Sequence, residues 1–144
     1  MSTPIDNLHA VLAATTEGRV IPPDAALWLR TGLARYEREG VPLEDALGLG
    51  VAARTRARNA ALVEAARLLG DGTESAWMLA ARLRDAVARY ESRRRLRAAR
   101  PAHLRLPLSP HEEALERAFA ANAPRMLRGR GSLYDLLLQN SPEN

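Results

Sequence analysis

At 144 residues and 47% apolar side chains, the chain can bury one substantial core, and with only 4% aromatic residues that core must rest on alanine and leucine. The formal net charge is +4, every basic residue is arginine, and the absence of cysteine excludes disulfides, thiolate chemistry and cysteine-based zinc sites. No apolar run approaches the roughly 18 residues needed to span a bilayer. The first residues carry Asp6 and Glu17 and lack a basic stretch followed by an apolar one, so they do not read as a secretory signal. A cytoplasmic protein without membrane contact is expected.

High helix propensity and few Val, Ile or Thr runs point to an all-α fold. The expected architecture is a compact multi-helix bundle with a helix-turn-helix element and a C-terminal helical pair. A first helix is predicted over Ile5 to Ala14, with Leu8, Val11 and Leu12 on one side. Gly18 and Pro22-Pro23 break the chain, and Pro23 with Asp24 suits the first turn of a second helix, ending at Gly40. Its apolar stripe is Ala26, Leu29, Leu33 and Tyr36, widened by Trp28 and Gly32. A short helix from Pro42 to Leu47 and a long one from Val51 to Leu69 follow, with Leu62, Ala66 and Leu69 on one face of the latter.

Gly70-Asp71-Gly72 is a turn, and Thr73 is the expected cap of a helix carrying Ala76, Leu79, Leu83, Val87 and Tyr90, extending toward Ala99. Residues 101–109 form a proline-containing linker. Ser109, Pro110 and Glu112 make a capping box for a helix with Leu115, Ala118 and Phe119 inward, closed by Pro124. Ser132 and Asp135 suggest a second box, opening a short helix with Leu133, Leu136 and Leu137. The organisation expected is therefore a helical core over residues 1–100, the linker 101–109, a helical pair over 110–139 and a frayed tail 140–144. Within the core, Trp28, Leu33, Leu62, Leu69, Trp77, Leu83 and Val87 are expected to be mostly buried. The pentapeptide Leu33 to Glu37 recurs in kind as Val87 to Glu91, and both tyrosines are expected at the edge of one core.

Charge is unevenly spread: residues 1–50 carry a net −3, residues 51–109 a net +8 and residues 110–144 a net −1. A basic centre between acidic ends is an electrostatic footprint for a polyanion. Two arginine groups stand out. Arg54, Arg56 and Arg58 lie in the first turns of the helix after the glycine-flanked turn, where a helix-turn-helix places its base-reading residues. The arginine fork bridges guanine or clamps a phosphate. Arg93, Arg94, Arg95, Arg97 and Arg100 are packed into eight residues, and Arg89, Arg93, Arg97 and Arg100 share one helical face, a track for a phosphate backbone. Basic residues at a helix C-terminus also offset the macrodipole without any partner.

Signs of catalysis are absent. There is no phosphate-binding glycine loop and no nucleophile elbow, and Gly48-Leu49-Gly50 lacks the third glycine of a dinucleotide fingerprint. His9, His103 and His111 lack metal-ligand spacing, His111 is expected to be exposed, and Glu112, Glu113 and Glu116 suit a helix N-terminus. No cofactor or metal is expected.

A candidate helix-turn-helix module followed by a longer helix and a tail loosely resembles small phage DNA-packaging subunits and compact regulators, a likeness of architecture that transfers no residue. The function expected is a non-enzymatic nucleic-acid-binding protein, a small regulator or phage-type DNA-binding subunit. It would use Arg54, Arg56, Arg58, Arg89, Arg93, Arg94, Arg95, Arg97 and Arg100. The alternative is a helical adaptor or inhibitor docking on an acidic protein surface. Leu133, Tyr134, Leu136 and Leu137, on a helix too short to be stable alone, are expected to dock a partner or a second copy in a homo-oligomer.

Overall fold

The structure is a computed structural model that describes residues 2–141. The expected frayed tail therefore lies largely outside the described residues. Among them all regular structure is helical, with seven α-helices and no strand: α1 (Pro4–Thr16), α2 (Pro23–Glu39), α3 (Leu43–Ala46), α4 (Val51–Leu69), α5 (Ala76–Ala98), α6 (Pro110–Ala120) and α7 (Arg130–Gln139). A 3-10 turn, Ala102–Leu104, lies in the proline-containing linker. The chain divides into two compact units, Met1–Thr55 and Arg56–Asn144. The division falls within α4, where the sequence suggested a single core over residues 1–100.

In the first unit, Thr3 and Asp6 form a capping box that starts α1, with Pro4 in its first turn. α2 packs against both α1 and α3. Gly32 lets α3 approach, since a Cβ there would collide with the Leu47 side chain. Trp28 then donates its indole N–H to the Leu47 carbonyl at 2.9 Å. This close approach sets the rotation of α2. Its inward face runs through Ala25, Trp28, Leu29 and Gly32, about one residue around the helix from the expected stripe. Leu33 and Tyr36, placed inward by the sequence pattern, are 45% and 49% exposed. Leu12 of α1 is exposed as well.

The second unit has the larger core. Leu62, Ala65 and Ala66 of α4 meet Ala80, Leu83, Val87 and Tyr90 of α5, Ala114, Leu115 and Ala118 of α6, and Leu133, Leu136 and Leu137 of α7. α5 is the shared support, packing on both α6 and α7. The small residues on α4, α5 and α6 allow close helix approach, while the leucines fill the remaining space.

Several local expectations are corrected. Ser75, not Thr73, caps α5, its hydroxyl accepting the Met78 N–H. Thr73 is already committed to the preceding turn, giving its N–H and hydroxyl to Asp71, whose carboxyl is thereby held down at about 2. The Ser109–Glu112 box does start α6. α6 ends at Ala120, before Pro124, followed by Asn122 in the left-handed conformation. α7 begins at Arg130 after Gly129, which offers no side-chain cap, so Ser132 lies inside the first turn. Trp77 is 47% exposed and serves as a platform: the Arg130 guanidinium lies 3.9 Å from its ring centroid, and Tyr134 meets it edge-on at 5.3 Å.

Candidate polyanion-binding cleft

The C-terminal half of α5 runs past the end of the apolar core, and arginine takes over its sequence. Beside it lies a cleft of about 650 Å³, lined by Arg58 of α4, Arg94, Arg95 and Arg97 of α5, Arg105 of the linker, and Arg125 and Arg128 from the loop before α7. Phe119, Pro124 and Met126 add an apolar lining, and Glu91 and Glu116 are the two acids.

Both acids are occupied. Glu91 receives the Arg128 guanidinium at 3.0 and 2.7 Å, and that bond holds its carboxyl below the ordinary range. Glu116 receives Arg94 at 2.9 and 3.3 Å together with the Tyr90 hydroxyl. Arg94 also lies 5.3 Å from the centroid of the Phe119 ring. The other five arginines of the cleft have no carboxylate partner among the described residues. Arg97 donates to the Leu106 carbonyl, and Arg105 donates to the Arg100 and Ala98 carbonyls at 3.0 and 3.4 Å, closing the C-terminus of α5. Carbonyls orient these guanidinium groups and leave their charge unneutralised.

Comparison with protein-family models, with curated proteins and with solved structures finds no match to this chain. The site therefore stands on its own geometry.

The sequence-derived candidates divide sharply. Arg89, Arg95 and Arg100 are exposed, and their side chains make no hydrogen bond or ion pair among the described residues. Arg93 pairs with Glu112 at 2.6 Å, on the other side of α5 from the cleft. Burial acts against the Glu112 carboxylate, but the Ser109 N–H and hydroxyl and Arg93 together hold its pKa below the ordinary value. His111 is half-buried, its Nδ1 3.3 Å from the Ser109 hydroxyl, rather than exposed as expected.

Arg54 and Arg58 both have hydrogen-bond partners within the chain. Arg54 donates to the Leu49 carbonyl at 2.7 Å and pairs with Glu44 at 3.2 Å, bracing the turn that joins α3 to α4. Arg58 is only 8% exposed and is held by Asn59 and the Arg125 carbonyl. Arg56 is exposed and makes no side-chain bond among the described residues. α3 is a single turn packed on α2. The expected docking surface of α7 is likewise internal: Leu133, Leu136 and Leu137 are buried in the chain's own core, and Tyr134 packs at its edge. The short helix finds its apolar cover on α5.

Arg105, Arg125 and Arg128 were missed in the sequence because they are dispersed in connecting segments with no periodicity. Three arginines within Arg125 to Arg130 were the available signal. Among the described residues no helix is long and apolar enough to cross a membrane.

Proposed function

We propose that this chain is a non-enzymatic, cytoplasmic nucleic-acid-binding protein that engages a phosphate backbone with the C-terminal half of α5 and the cleft beside it. The observation that carries this is the charge of the cleft: seven arginines face two glutamates, and both glutamates are already paired. Arg95 and Arg125 in the cleft and Arg89 and Arg100 along α5 supply exposed cations whose side chains make no hydrogen bond or ion pair among the described residues. Clustered guanidinium groups on a rigid helix suit phosphate contacts in many registers, which makes binding sequence-tolerant. With Arg54 and Arg58 engaged internally, the helix-turn-helix role loses its two main readers, and backbone contact becomes the principal source of affinity. The test is titration of labelled random-sequence DNA with the full chain over about 50 to 200 mM salt. Phosphate contact requires affinity to fall steeply with salt. No binding even at the lowest salt would remove this function.

One observation favours a protein partner as the second reading. Leu96, Leu104 and Leu106, beside Arg97 and Arg100, are 70%, 57% and 68% exposed. Apolar side chains ringed by arginine suit an acidic helical surface, and such binding would respond far less to salt.

A further inference from the structure

Arg58 raises a problem that the outer arginines do not. Its side chain reaches from the middle of α4 into the cleft wall, and the residue is 8% exposed. The Nε and Nη2 hydrogens go to the Asn59 side-chain oxygen at 3.0 and 2.7 Å, and Nη1 donates to the backbone carbonyl of Arg125. All these acceptors are neutral. The two carboxylates that line the same cleft are held by Arg128 and by Arg94 with Tyr90. Burial, and then the neighbouring Arg125 charge, disfavour the charged guanidinium and lower its pKa. Yet arginine remains protonated in proteins. Arg58 is thus a buried cation beside a second cation, with no carboxylate paired to it among the described residues, an arrangement that is costly unless a counter-charge joins it.

We propose that the cleft is a specific phosphate-binding site, in which Arg58 is the fixed, pre-oriented cation and Arg125 closes on the phosphate group from the loop before α7. This goes beyond backbone tracking along α5, because the buried charge calls for an anion at one defined place. Phosphate fits better than a carboxylate because its oxygens accept from two guanidinium groups approaching from different directions. The cleft is also far larger than a lone phosphate requires, and its Phe119, Pro124 and Met126 lining suits the organic part of a phosphate ester. The phosphate can belong to a free nucleotide or to a nucleic-acid chain, and these sources are separable.

The experiment is isothermal titration of the full chain at constant ionic strength with inorganic pyrophosphate, adenosine monophosphate and a short oligothymidylate, each with sodium chloride as control. Arg125→Ala removes one cation while leaving the backbone carbonyl that holds Arg58. Arg117→Ala, an exposed arginine of α6 outside the cleft, controls for general charge loss. Saturable binding weakened about tenfold or more by Arg125→Ala, and unaffected by Arg117→Ala, is the expected result. Arg58→Met, which keeps much of the volume, should abolish binding; if it fails to fold, Arg125→Ala still decides. Binding of the small phosphates identifies a free-ligand site, and binding of the oligonucleotide alone identifies a chain phosphate. Equal losses in Arg125→Ala and Arg117→Ala, or no saturable binding of any of the three, would overturn the site. Pyrophosphate binding without any affinity for nucleic acid would leave this site standing and remove the function proposed above.

Discussion

Tyr90 of α5 donates its hydroxyl hydrogen to the Glu116 carboxylate of α6 at 2.5 Å, and the same oxygen receives the Arg94 guanidinium at 2.9 Å. One acid thus ties α6 to α5 and, by neutralising Arg94, shapes one wall of the arginine cleft. Burial and this bond raise the Tyr90 pKa, so the phenol stays protonated across the physiological range. Tyr90→Phe should cost about 1.5–3 kcal/mol of unfolding free energy, the range for a hydrogen bond to a charged group. Urea denaturation measures it, and an unchanged midpoint would show that the bond adds nothing to stability.

The two units should respond very differently to apolar truncation. Leu133 of α7 is fully buried between helices of the second unit, while Leu33 of α2 is 45% exposed. Leu133→Ala should destabilise by about 2–5 kcal/mol. Leu33→Ala should stay within about 0.5 kcal/mol. Chemical denaturation of both variants checks this pair. A large cost at Leu33 with none at Leu133 would reverse the assignment of their faces.

Much of the fold could be read in advance, for identifiable reasons. The limits of α2 and α4 followed from Pro23, Gly40 and the Gly70 turn, and the start of α6 from the Ser109 box, because caps and breakers act locally. The face of α2 could not be read, because Gly32 against Leu47 is a tertiary contact that overrides the apolar count. The paired pentapeptides show the same limit: Tyr90 is 2% exposed and Tyr36 49%. The dense arginines of α5 were visible as a run, but the cleft was not. Its other walls come from Arg58, Arg105, Arg125 and Arg128, which only folding brings together. Nor could the spacing of Arg54 and Arg58 reveal that the nearby Leu49 carbonyl would engage the first and the sequence-distant Arg125 carbonyl the second.

Acid should weaken the second unit through its paired carboxylates. Glu91 and Glu112 both titrate below their ordinary value of 4.5 in the folded chain, Glu91 chiefly through the Arg128 hydrogen bonds. In such a case the unfolded chain takes up protons first. The stability these groups contribute is therefore complete above 4.5 and is lost as the pH falls through their lower folded values. Unfolding free energy, followed by urea titration at a series of pH values, should decline below about pH 4.5. Glu91→Gln should show a shallower decline over that window. Superimposable pH profiles for the two proteins would mean that the Arg128 pair does not contribute.

The most direct measurement of the central claim is the salt dependence of DNA binding in a variant lacking Arg95, Arg100 and Arg125. All three are exposed and make no side-chain bond among the described residues, so their replacement by alanine should leave the fold intact, as circular dichroism can verify. If these arginines meet phosphates, the slope of log affinity against log salt should become shallower by about one for each phosphate that is no longer neutralised. Affinity should fall alike on every duplex sequence, because no base edge is involved. A folded triple variant that binds DNA with the wild-type affinity and the wild-type salt slope would contradict the account.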